Sequence, residues 1–203
     1  GRGEGLADGL SLSLTKGHIR PWDVEQGANG NCWVMSALAA VAERPNLIRR
    51  LFAQDVPDAR GRYDVRLYSL LEGRWVTHII DDRLPVLNFD SEAGLSLAYA
   101  KISNDGQLWP ALLEKAMAKH MGGYAAMDGG SSSFALGTLL GTPREKLIDA
   151  YHCDNGDWNL WKIRWSDDHA SNPESYDSHR VSSSTFLDML ADARRSGFVM
   201  CAS

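Results

Sequence analysis

Residues 33–42 read WVMSALAAVA. Wound as a helix, this run places apolar side chains on nearly every side rather than along one stripe. Such a helix has no face to offer water, so the rest of the chain must surround it. The sequence therefore predicts a buried helix over residues 32–43. The Arg44-Pro45 step ends it, because proline disfavours a helical conformation in the residue before it. Residues 46–52 suit a second short helix. The preceding run, QGANGN, is polar and glycine-rich, and the first 30 residues carry no convincing period. Cys32 stands at the junction.

Downstream, Tyr63, Val65 and Leu67 alternate with Asp64, Arg66 and Tyr68, the period of a half-buried strand. Residues 74–80 read as its partner across a Glu72-Gly73 turn, with Asp81 and Asp82 closing the hairpin. A third short strand is expected over residues 86–89. Trp109, Leu112, Leu113, Ala116, Met117 and His120 share one helical face, with Pro110 in the first turn and Gly122 at the end. Residues 131–133 are serines placed to cap a helix over 134–140. Residues 151–180 are polar with interspersed tryptophans; some strand near 160–165 followed by a long loop is expected. Residues 182–184 cap a helix ending at Gly197, and FVMCA begins another strand.

A chain of 203 residues suits one domain or one and a piece. Its net charge of −5 argues against nucleic acid, which calls for a basic face. No apolar run reaches bilayer-spanning length, and no secretory signal opens the chain. It begins at Gly1 and reads as an excerpt of a longer protein. The three cysteines, Cys32, Cys153 and Cys201, are too few and too scattered for a disulfide framework, which points to a reducing, cytoplasmic setting. His152-Cys153-Asp154 has no second ligand pair at zinc spacing.

A thiolate is the nucleophilic form of cysteine, and the positive end of a helix dipole favours it. The glycines before Cys32 leave room for a substrate backbone. Acyl transfer also needs donors aimed at the oxygen that becomes negative. The Cys32 N–H and the Gln26 amide can supply two. Spacing alone leaves open the plainer reading: cysteine in an Ala/Leu-rich helix as core, glutamine as surface.

Larger matches bear on that choice. DVEQGANGNCWVMSALAAVAERPNLIRRLF resembles the catalytic core of the calpains, calcium-dependent intracellular cysteine proteases with a QGxxGDCW signature. GRWVTHIIDDRLPV, LWPALLEKAMAKHMGGYAAMDGG and FLDMLADARRSGFVMCAS are similar to further segments of that core, in the same order. The helix and hairpin fit this family better than a transglutaminase. The resemblance implies an α+β, papain-like fold. Residues 1–150 would be a helical first subdomain with a central nucleophile-bearing helix and a small antiparallel sheet. Residues 151–203 would be a linker or insertion and the start of a second subdomain. It implies Cys32 as nucleophile, Gln26 in the oxyanion hole, Trp33 packed behind the nucleophile and Gly130 pairing with the substrate backbone. Asp23 and Gln107 would stand at a calcium site, with carbonyls near Gly17 and His18. Protein substrates and further domains in the parent protein are implied with these.

Three departures from the pattern matter. Asn31 replaces the signature's aspartate, removing a negative charge beside the thiol. Gln107 replaces an acidic calcium ligand, although Asp105 is close, which weakens the case for calcium. The family's Gly-His-Ala and Asn-Pro-Trp motifs, which supply the base and its orienting group, lie downstream of the matched residues. Among the six histidines, His18 precedes Cys32, His78 alternates along a strand and His120 reads as a core or helix-terminal residue. His152, His169 and His179 read as solvated. The expected function is a cysteine endopeptidase when complete, with these 203 residues inactive alone; the alternative is an inactive calpain-like binding or scaffold module.

Overall fold

The apolar girth of residues 33–42 has the predicted consequence. In the computed structural model, which describes residues 12–15, 17–54, 58–87, 96–103, 105–143, 147–165 and 173–201, they lie in α1 (Cys32–Ala42). Val34, Ala37, Leu38 and Val41 have no exposed surface. Glu43 caps the end, and Pro45 opens α2 (Pro45–Arg49), where its missing N–H costs no helical bond.

β1 (Arg62–Ser69) and β2 (Arg74–Asp81) form the expected hairpin, with Tyr63 opposite Ile80 and Ser69 opposite Arg74. Tyr63, Val65 and Leu67 point into the core beside α1. β3 (Val86–Leu87) pairs antiparallel with β4 (Ser96–Leu97); residues 88–89, the rest of the expected third strand, lie outside the described residues. α3 (Trp109–Met121) ends on Gly122, whose φ of 96° suits glycine. It buries more than the one expected stripe: Ala111, Glu114 and Ala118 are also inside. α4 (Ser132–Leu140) starts at Ser131, whose Oγ accepts the Ser133 N–H at 3.3 Å.

The chain from 148 onward builds a separate sheet. β5 (Ile148–His152), β6 (Trp158–Trp165) and β7 (Pro173–Val181) are antiparallel in that order. Most of the loop expected through residue 180 is therefore strand, residues 166–172 lying outside the described residues. PESYDSHRV has no apolar alternation to reveal it; backbone pairing with β6 makes it a strand. Leu160 is buried, and Trp161 packs against Leu70 and Leu147. α5 (Ser183–Arg195) begins at Ser182, whose Oγ accepts the Thr185 N–H, and it buries none of its residues. Phe186 stacks on Trp158 with ring centroids 4.2 Å apart.

The strand expected at FVMCA is not formed over residues 198–201; residues 202–203 lie outside the description. A strand needs a neighbour to complete its ladder, and none pairs with this segment among the described residues. Instead Val199 packs against the main core, and the half-buried Cys201 thiol lies at Ser132, where burial raises its pKa. The architecture is mixed α+β with small antiparallel sheets. Among the described residues no helix is long and apolar enough to cross a membrane.

Candidate active site

Cys32 is the first residue of α1 and is solvent-exposed, while Trp33 behind it is 2% exposed. A first-turn residue has no carbonyl one turn back, so the N–H groups at this end point outward with the positive end of the helix dipole. The thiol thus combines access with a rigid, buried support.

Two loops flank it. Residues 25–28 run beside 98–101, with Ala28 N–H donating to Ala98 O at 3.1 Å and Lys101 N–H to Glu25 O at 3.0 Å. Gly27 is required by this approach, since a Cβ there would fall 2.2 Å from the Tyr99 carbonyl oxygen. Gln26 is exposed, and its Nε2 donates to Asn29 O at 2.7 Å. A primary amide has two N–H groups, so this bond leaves one for another acceptor. On the other side, Gly129 N–H donates to Gly30 O at 2.9 Å, and Trp33 Nε1 donates to Met127 O at 3.0 Å. Gly130 lies directly on the Trp33 indole: a Cβ there would be 2.4 Å from Cε2. Gln26, Cys32 and Gly130 therefore sit on elements that pack on the same end of α1.

Asn31 does not face the thiol. Its side chain turns inward with no exposed surface, and Nδ2 donates to Glu114 Oε1 at 2.6 Å. Glu114, 1% exposed, also accepts the Ala100 N–H at 2.9 Å. Burial raises the Glu114 carboxyl pKa above its usual range, against the lowering effect of these two bonds. The aspartate-to-asparagine departure therefore bears first on a buried polar contact. Asn31 Oδ1 and the Tyr124 hydroxyl are buried with no partner among the described residues. Sequence reading missed Glu114, because its neighbours gave α3 a plain amphipathic appearance.

Asp23 and Gln107, 84 residues apart, do meet: Gln107 Nε2 donates to Asp23 Oδ2 at 3.1 Å. Calcium takes six to eight oxygen ligands. Here Asp23 Oδ2 also accepts Arg20 N–H at 2.8 Å, and Oδ1 lies 3.4 Å from Arg20 Nε. The same Gln107 nitrogen reaches both Asp105 oxygens, at 3.3 and 3.2 Å. With carboxylates on either side, the amide turns its donor inward. Among the described residues, no group of three or more His, Cys, Asp or Glu side chains is placed to hold a metal. This arrangement does not fit calcium.

Four of the histidines are engaged elsewhere. His18 Nε2 lies 3.1 Å from Asp105 Oδ2, and His152 packs edge-on to Trp158. His78 Nε2 and His120 Nδ1 are 3.0 Å apart, a pairing of two residues that sequence reading treated separately. Burial, then the neighbouring His78, lowers the His120 pKa to about 4. His179 is exposed, and His169 lies outside the described residues. A half-buried carboxylate missed by sequence reading, Asp149, accepts from Ser131 and Ser133 Oγ at 3.1 and 3.2 Å; partial burial raises its pKa.

Comparison with known proteins adds to this geometry. Residues 3–203 match the family described as calpain family cysteine protease. The chain is 36% identical over 129 residues to Calpain clp-1 of Caenorhabditis elegans, covering 63% of this chain and 16% of that protein. It is 36% identical over 131 residues to Calpain-A of Drosophila melanogaster, covering 63% and 15%. With the calpain-type cysteine protease DEK1 of Zea mays, identity is 33% over 146 residues, covering 70% and 6%. The chain thus spans less than a fifth of the length of each of these three relatives.

Proposed function

The chain belongs to the calpain family of cysteine proteases, and from that premise we propose that it supplies the nucleophile and oxyanion hole of an intracellular cysteine endopeptidase acting on protein substrates. The observation that carries this reading is the exposed Cys32 at the first turn of a buried helix, between loops bearing Gln26 and Gly130. The Cys32 thiolate attacks the scissile carbonyl carbon. The carbonyl oxygen takes the negative charge and is held by the Cys32 N–H and the second N–H of Gln26. Gly130 presents its backbone to the substrate chain. Collapse of the tetrahedral intermediate expels the amine with a proton and leaves an acyl-cysteine, which water hydrolyses. The base and its orienting group come from outside these residues, a reading supported by the engagement of His18 with Asp105 and of His78 with His120.

The family suggests calcium dependence, but no step here runs through calcium. The papain-like, two-part division near residue 150 is part of the proposal. It is supported by the change from the main core to a separate three-stranded sheet, although β5 itself crosses that boundary.

The test is a thiol-directed peptidyl inhibitor applied to the full-length protein that carries this chain. Labelling should occur at Cys32 and vanish in Cys32→Ser. Label retained at another cysteine in that variant overturns the assignment, and an unlabelled wild-type protein favours the binding-module alternative.

A further inference from the structure

Two segments distant in sequence meet at the cluster that does not fit calcium. The backbone first brings them together: Ser13 N–H donates to Gly106 O at 3.0 Å, and Leu108 N–H to Ser13 O at 2.8 Å. Asp23, 3% exposed, and Gln107, with no exposed surface, are packed beneath this crossing. A carboxylate that deeply buried requires a positive or hydrogen-bonding partner, because its desolvation is otherwise too costly.

Arg20 is that partner. Its Nε lies 3.4 Å from Asp23 Oδ1, its backbone N–H donates to Asp23 Oδ2, and its Nη2 lies 3.3 Å from Asp105 Oδ2. One guanidinium therefore spans both carboxylates, as a forked donor can. Asp105 also accepts from Ser103 Oγ at 2.6 Å and lies 3.1 Å from His18 Nε2. Bonds from Arg20, His18, Ser103 and Gln107 occupy all four carboxylate oxygens. A calcium ion placed between Asp23 and Asp105 would have to displace the amide of Gln107 and face the charge of Arg20.

We propose that Arg20 is a built-in cation that stands in for calcium in this chain, so that the junction of residues 17–23 with 103–107 is held without metal. The two aspartates then serve an internal salt bridge rather than an ion-sensing site. This inference is independent of the catalytic role assigned to Cys32.

The test is thermal unfolding of the purified chain in chelator and in calcium up to about 1 mM, the weak end of protein calcium sites. Terbium emission sensitised by Trp22 gives a second readout; this indole is 73% exposed, with Arg20 Cζ 5.5 Å from the ring centroid. The wild-type chain should show no calcium shift and no saturable emission. Arg20→Met should lower Tm in chelator. Calcium should restore it by about 3–6 °C once it exceeds its Kd about tenfold. Arg20→Lys, which keeps the charge, should remain silent to calcium. A wild-type calcium response abolished by Asp23→Asn overturns the proposal, as does an Arg20→Met chain as stable as wild type in chelator. If Arg20→Met does not fold, the wild-type and Arg20→Lys titrations decide the matter. Either result leaves inhibitor labelling of Cys32 unaffected, so the two readings fail separately.

Discussion

Gly130→Ala is the sharpest probe of how the site is held. The added methyl carbon would lie 2.4, 2.6 and 2.8 Å from three ring carbons of Trp33. Ordinary carbon contacts are about 3.5–4.0 Å, so the indole or the 127–130 loop must retreat by about 1 Å. Overpacking of this kind costs about 1–3 kcal/mol. If the retreat breaks the bond from Trp33 Nε1 to Met127 O, about 1 kcal/mol more is lost. The sum, about 2–4 kcal/mol, corresponds to a fall in Tm of about 4–16 °C for a domain of this size. Gly129→Ala is the matched control. Gly129 has a φ of 79° with nothing within 4 Å of a Cβ, so alanine there strains the backbone without touching the ring. Its cost should be about 1–2 kcal/mol. Calorimetry reads both losses, and the indole N–H resonance of Trp33, assigned with Trp33→Phe, reads the ring. Only Gly130→Ala should shift that resonance, and iodoacetamide labelling of Cys32 should change with it. An unchanged Tm with an unmoved resonance refutes the packing argument, as does an equal shift in Gly129→Ala.

Other outcomes follow from the same geometry. With the proposed mechanism, Gln26→Ala in the full-length protein should lower kcat about 100–1000-fold with little change in KM, measured by steady-state peptide cleavage. Glu114→Ala orphans two buried donors and should cost about 2–4 kcal/mol in denaturant unfolding. Glu114→Gln should cost less, because Asn31 can turn its amide and donate no longer but accept. Asn31→Asp sets a second carboxyl against Glu114, where both cannot readily ionise; its stability relative to wild type should fall as pH rises above the ordinary carboxylate range. For His120 the folded pKa is lowered, from 6.5 to about 4. Its contribution is therefore fully present above about pH 6.5 and is lost as pH falls towards 4, by no more than about 3 kcal/mol. A His120→Gln variant should flatten that limb of the stability–pH curve.

Local pattern alone determined a good part of this protein. The apolar girth of residues 33–42 required a buried helix, alternation in 63–68 required a half-buried strand, and proline and glycine marked the ends of α3. These signals are legible because each depends on neighbours within a few residues. The family motifs then singled out Cys32 and Gln26 as candidates. The sequence did not reveal β7, since a polar strand defined by its partner's backbone carries no period of its own. Nor did it reveal the direction of Asn31, the burial of Glu114, the pairing of His78 with His120, or Arg20 between two aspartates. Each of the last four depends on contacts between distant parts of the chain: Asn31 and Glu114 are 83 residues apart, and Arg20 and Asp105 are 85. Whether a polar side chain faces solvent, a substrate or a buried partner is settled only when packing brings those segments together and removes the water between them.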